Sequence, residues 1–171
     1  MTKPPTPSVS IPTPPPTVRF QKLDERAAVP AYQTELAAGL DLAACLPRGD
    51  VGGPSVIIPP GAIVKVPTGL ACAIPPGFEG QVRPRSGLST KHGVTLPNSP
   101  GTVDADYRGE MFVALINLGP EPFEIHHGDR VAQLVVCPIA HCVVEVVGEL
   151  DATGRGSGGF GSTGGVAGAA R

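Results

Sequence analysis

Apolar residues in this chain come in short runs set between prolines and glycines. From position 18 the runs are VRFQKL, AGLDLAA, SVII, AIVKVP, GLACAI, FEGQVRP, HGVTL, EMFVALINL, PFEI, RVAQLVV and HCVVEVV. Each has the length of a strand. Several alternate apolar with polar side chains, as in Val64-Lys65-Val66 and Phe78-Glu79-Gly80-Gln81-Val82. Such alternation buries one face and solvates the other. Pro47, Pro54, Pro59-Pro60, Pro75-Pro76-Gly77, Gly119-Pro120 and His127-Gly128 separate the runs. Many short strands at this spacing predict an all-β fold: a jelly roll, β-sandwich or barrel. No amphipathic helix of about ten or more residues separates the strands, so no parallel βαβ unit is expected. One short helix is predicted after Pro84, with Ser86 placed to cap it and Leu88 and Lys91 spaced for one turn. The first amides of such a helix are free for an anion.

The pattern stops at both ends. Residues 1–17 hold seven prolines and almost no large apolar side chains. Proline fixes φ and removes donors, so a disordered, extended tail is expected there. Residues 18–150 carry the strands and form the expected domain. Residues 151–171 read DATGRGSGGFGSTGGVAGAAR, too glycine-rich for a core of their own. Arg155, Phe160 and the hydroxyls of Ser157, Ser162 and Thr163 suit a polyphosphate and a base, so a mobile lid is expected.

Composition narrows the function classes. The 171 residues suffice for one domain with a core, and the net charge of −2 lacks the basic excess of a nucleic-acid surface. The four cysteines form no CxxC pair, and free thiols in a reducing compartment are expected. The first residues hold no apolar h-region, so no secretory signal is expected. The longest apolar stretch, 131–147, is broken by Gln133, Pro138, His141 and Glu145 and cannot span a membrane. A cytoplasmic location is expected, with no membrane partner.

Residues 84–110, PRSGLSTKHGVTLPNSPGTVDADYRGE, concentrate the candidate chemistry. Arg85, Ser86 and the amides that follow can grip an anion. Asn98 lies in a bend between Pro97 and Pro100. Asp104, Asp106, Tyr107 and Arg108 follow in a stretch too polar for core packing. An anion grip, a bend and an acid beside an aromatic ring on one segment suggest a nucleotide site.

Five stretches in this order resemble the motifs of the trimeric dUTPases: AGLDLAA at 38–44, PRSGLS at 84–89, GTVDADYRGE at 101–110, GDRVAQLVV at 128–136 and RGSGGFGSTGG at 155–165. The resemblance spans about 18–165 and implies a β jelly roll in a homotrimer with shared active sites. It implies Mg²⁺-dependent hydrolysis of dUTP to dUMP and pyrophosphate, which limits uracil in DNA and supplies dUMP for dTMP synthesis. Asp104 matches the catalytic aspartate that activates water for attack on the α-phosphate. Tyr107 matches the tyrosine beneath the deoxyribose, where no 2′-hydroxyl fits. Asn98 and the bend backbone through Gly101, with Thr102 and Val103, match the uracil reader. Arg85, Ser86, Gly87 and Gln133 are expected at the phosphates, with Arg130 bracing carboxylates or the tail. From the tail, Arg155 is expected at the γ-phosphate and Phe160 over the uracil. Gly161, Ser162 and Thr163 are expected beside them. Asp41 has two alternatives: a water-mediated Mg²⁺ contact or an intersubunit contact.

Two other readings stand beside this one. A dCTP deaminase shares the fold but needs an acid–base residue at the pyrimidine amino group, where this sequence has the Asp104 and Tyr107 pattern instead. A non-catalytic nucleotide-binding module is expected to lack the acid or the tail motif, and both are present.

Overall fold

A computed structural model of the chain describes residues 14–48 and 55–159. The chain divides into two units, Met1–Ala140 and His141–Arg171. Among its described residues the first contains ten strands: β1 Arg19–Lys22, β2 Leu40–Ala43, β3 Ser55–Ile58, β4 Ile63–Ala73, β5 Phe78–Arg83, β6 Val94–Thr95, β7 Gly101–Val103, β8 Glu110–Asn117, β9 Phe123–His126 and β10 Arg130–Pro138. The one helix among the described residues, α1, spans Ser86–His92. The sheets run β1-β4-β8-β6, β2-β10-β5-β7 and β3-β9. Every pairing between these strands is antiparallel. The all-β expectation therefore holds, and the single helix falls where it was placed.

Alternation along the strands builds the core. On β8, Met111, Val113 and Leu115 point inward while Phe112 points outward. They meet Val66 and Leu70 of β4, Leu42 of β2, Val82 of β5 and Leu134 of β10 in one buried cluster. Burying a side chain of this size contributes about 1.5–3 kcal/mol each. Asn117 takes the fourth inward position of β8 and is fully buried. Its amide donates to the Ile58 and Glu121 carbonyls at 2.9 and 2.7 Å and accepts from the Gly119 amide at 2.9 Å, so no polar atom there is left unpaired.

Three details differ from the sequence expectation. The runs AIVKVP and GLACAI are one strand, β4, with a register shift between Pro67 and Ala71. At that bulge the Glu110 carboxylate accepts the Gly69 amide at 2.8 Å, which replaces the lost ladder bond. GTV at 101–103 forms β7, short and placed on the sheet edge. HCVVEVV forms no strand: residues 141–147 have no regular secondary structure and no ladder partners, and Val143, Val144 and Val146 are exposed.

All four cysteines are free, with Cys45 and Cys72 buried. Burial pushes both of these thiols up from their ordinary range, which keeps them protonated and unreactive. No described helix is long and apolar enough to cross a membrane.

Candidate functional site

Two clusters of the predicted residues form on the sheet β2-β10-β5-β7. The first sits where β5 runs into α1. Gln133 of β10 lies opposite Asp41 of β2 on one side and Arg83 of β5 on the other. Cross-strand partners share a face, so these three side chains form a row. Gln133 donates to the Pro84 carbonyl at 3.0 Å and so fastens the turn that follows β5. Its Oε1 lies against Gly39, where an added Cβ would come within 2.5 Å of it. That close approach accounts for glycine in AGLDLAA.

Arg85 folds back over β10. It donates to the Arg130 carbonyl at 2.7 Å, and its Nε lies 3.7 Å from the Asp41 carboxylate. Arg130 donates to the other Asp41 oxygen at 2.9 Å. Asp41 is thus clamped by two guanidiniums, with its side chain only 14% exposed. This fixes the Arg85 fork beside the helix start.

The helix begins differently from expectation. Arg85, not Ser86, occupies the N-cap position, and no side chain caps it. Ser86 is already inside the first turn because Arg85 is extended there (φ −93°, ψ 127°) and its carbonyl accepts the Leu88 and Ser89 amides. The Ser86 and Gly87 amides are then the first two of the helix and have no intrahelical acceptor. An added Cβ at Gly87 would meet nothing within 4 Å, so the side-chain space at this position is open. Gly93 ends the helix in the left-handed conformation.

The second cluster follows β7. Asn98 is exposed in the bend, and its side-chain amide lies against Gly101. Thr102 is exposed while Gly101 and Val103 are buried. The chain then turns: the Tyr107 amide donates to the Asp104 carbonyl at 3.2 Å. The Tyr107 hydroxyl donates to the Glu110 carbonyl at 2.8 Å, which fixes the ring. Arg108 holds the Ala105 and Tyr107 carbonyls, both at 2.7 Å. Asp104 is exposed, and among the described residues its carboxylate has neither a hydrogen-bond donor nor an ion-pair partner. Thr102, Val103 and Tyr107 line one depression with Lys65, Glu110 and Phe112. The Lys65 ammonium lies 3.9 Å from the centre of the Phe112 ring. Lys65 and Phe112 carried no signal in the sequence, because outward positions of alternating strands read simply as solvent face.

Within one chain Asp104 lies away from the Arg85 cluster. Val82 pairs with Gly101 and Gly80 with Val103, so β7 runs away from the helix end of β5. Continuing that register puts Asp104 level with Glu79, six residues along the strand direction from Arg85. At about 3.3 Å per residue this is roughly 20 Å. Arg155 belongs to the second unit, where it donates to the Gly158 carbonyl at 2.8 Å within a turn begun by Thr153. Phe160, Gly161, Ser162 and Thr163 lie outside the described residues.

This arrangement of antiparallel sheets is shared with viral enzymes of one kind. A variant of the Staphylococcus bacteriophage 80alpha dUTPase, solved with dUpNHpp, superposes with a TM-score of 0.73 at 25% identity, covering 86% of this chain and 98% of that one. In sequence, a deoxyuridine 5′-triphosphate nucleotidohydrolase of Syntrophotalea carbinolica is 54% identical over 148 residues, 86% of this chain and 97% of the relative. The protein of the same name from Desulfotalea psychrophila is 59% identical over 140 residues, 82% and 89% of the two chains. The dUTPase family model matches residues 25–164. The chain belongs to the dUTPase family.

Proposed function

We propose that this chain hydrolyses dUTP to dUMP and pyrophosphate as a homotrimer whose active sites are shared between copies, and so limits uracil in DNA and supplies dUMP for dTMP synthesis. The observation that carries the chemistry is Asp104: an exposed carboxylate that nothing described in the chain neutralises, on a turn held by main-chain bonds. Such a group can take a proton from water as the water oxygen attacks the α-phosphorus. The bond from that phosphorus to the α,β-bridging oxygen breaks, and pyrophosphate leaves. Arg85 and the Ser86 and Gly87 amides meet the phosphate charge with a planar donor fork and helix-start N–H groups. Asn98 and the backbone through Gly101, Thr102 and Val103 read the uracil edge. Gln133 acts here by holding the Pro84 turn. The separation of Asp104 from Arg85 along β5 supports sharing of the site: one copy supplies the acid and base reader, another the phosphate grip.

Mg²⁺ is proposed to arrive on the phosphate oxygens of the substrate. Among the described residues no three acidic, histidine or cysteine side chains gather to hold a metal, and both Asp41 oxygens face arginines. The residues present do not fit a protein cage, and Mg²⁺ commonly retains waters and phosphate ligands instead.

Tyr107 tests the nucleotide reading. With its ring fixed by Glu110, it is a rigid wall for the sugar. Tyr107→Ala is expected to raise kcat/KM for UTP relative to dUTP. Steady-state kinetics on both nucleotides measure the ratio, and an unchanged ratio in a folded variant assigns sugar selection elsewhere.

The tail is proposed as the lid, with Arg155 at the γ-phosphate, Phe160 over the base, and Gly161, Ser162 and Thr163 beside them. Deleting residues 153–171 is expected to leave the oligomer and melting temperature intact and to lower kcat strongly, because closure orders the phosphates and excludes water. Size exclusion, melting and kcat on the truncated protein check this. A normal kcat would reduce the segment to a linker.

A further inference from the structure

At the β1 edge of the sheet β1-β4-β8-β6 lies a depression of about 220 Å³. Its polar lining is Arg19, Gln21 and Arg108, over a floor that includes Ala71, Cys72 and Ala73. The register explains the shape. Arg19 pairs with Ala73 and Gln21 with Ala71, so two long polar side chains two residues apart on β1 stand opposite two small ones on β4. The small partners leave a shelf that the long ones border.

The charge in this depression is unbalanced. Among the described residues neither Arg19 nor Arg108 lies within ion-pair distance of a carboxylate. Arg108 spends one nitrogen on the Ala105 and Tyr107 carbonyls, and no described acceptor meets its other nitrogens. Glu110, opposite Ala71 across the β4–β8 ladder, is committed to the Gly69 amide. Two cations and a carboxamide therefore border one small space with no negative charge in it.

From this we infer that the Arg19–Arg108 depression is a second anion site, for a phosphate-class oxyanion. Two guanidinium forks and an amide border the space, Arg19 and Gln21 from β1 and Arg108 from the turn before β8, which matches the several acceptor oxygens of a tetrahedral anion better than a single planar carboxylate. The anion neutralises two like charges that otherwise repel. Inorganic phosphate and pyrophosphate share this chemistry. Bound there, either one sits on the outer edge of Arg108, whose other side holds the Asp104–Tyr107 turn, and so stiffens that turn. This consequence for turnover rests on the proposed role of Asp104, but the binding does not.

The test is calorimetric titration of the full-length protein with phosphate and, separately, with pyrophosphate. An Arg85→Gln background silences the other phosphate grip. Arg85→Gln protein is expected to bind at least one of the two anions, and adding Arg19→Gln is expected to weaken that binding roughly tenfold or more, since a charge-assisted contact is lost. Arg19→Gln alone, on an exposed edge strand, is expected to leave dUTP kinetics unchanged in phosphate-free buffer and to remove one binding event per chain. The two titrations decide which anion the site prefers. Equal binding with and without Arg19→Gln, or no binding of either anion by the Arg85→Gln protein, overturns the site. A wild-type protein that binds phosphate there but does not hydrolyse dUTP would instead overturn the proposed function and leave this site standing.

Discussion

Replacing Asp104 by asparagine is expected to lower kcat by roughly 10²- to 10⁴-fold while dUTP still binds, the usual cost of losing a general base. The amide has the same shape but cannot accept the water proton. Its neighbours should not move, because the turn is held without the carboxylate. The Tyr107 amide bonds to the Asp104 carbonyl, and Arg108 bonds to the carbonyls of Ala105 and Tyr107. Binding contacts assigned to Asn98, Gly101 and Arg85 lie on other segments. The variant should therefore separate binding from chemistry. Turnover by rapid mixing and affinity for a non-hydrolysable analogue measure the two effects. A kcat near that of the unchanged protein removes Asp104 as the base.

Mixing two inactive variants should restore activity. Arg85→Ala loses the phosphate fork and Asp104→Asn loses the base. If each site takes Asp104 from one copy and Arg85 from another, random assembly of the two variants in equal amounts leaves about a quarter of the sites intact. The expectation follows from the opposed directions of β5 and β7, which separate the groups by roughly 20 Å. Each variant must first show the native size and melting temperature, because Arg85 also ties the Asp41 clamp to the Arg130 backbone. Recovery to about a quarter of the native rate supports shared sites. No recovery in a co-assembled mixture places both groups in a site built from one copy.

Much of this architecture is legible in the chain itself. Alternation in EMFVALINL marks the inward row Met111, Val113 and Leu115, and the Pro and Gly separators mark the strand ends. The helix after Pro84 is legible because free polar positions follow a proline. Its capping residue is not, since both Arg85 and Ser86 could stand at the boundary and only the extended backbone of Arg85 decides. Continuity of β4 through Gly69 depends on Glu110 reaching the bulge from another strand, a contact no local pattern encodes. HCVVEVV has strand composition, but a strand also needs an edge to pair with, and the chain pairs it with none.

The candidate site shows the same division. Residue types and order point to Arg85, Asp104 and Tyr107. The clamp of Asp41 between Arg85 and Arg130 is a property of the β2–β10 register, and the distance between the two clusters is a property of the β5–β7 register. Register depends on partners far apart in sequence, so Arg130 could be expected at a carboxylate, but neither the identity of that carboxylate nor the distance could be read in advance. Arg19 was invisible for a related reason: it acquires meaning only beside Arg108, which lies on a turn from another part of the chain.

Incubation with dUTP, dCTP, dTTP and UTP in the presence of Mg²⁺, with identification of every product, tests the central claim most directly. Pyrophosphate and dUMP from dUTP, with little or no turnover of the other three, is the predicted result. Ammonia release from dCTP, or binding of dUTP without any product, would contradict it.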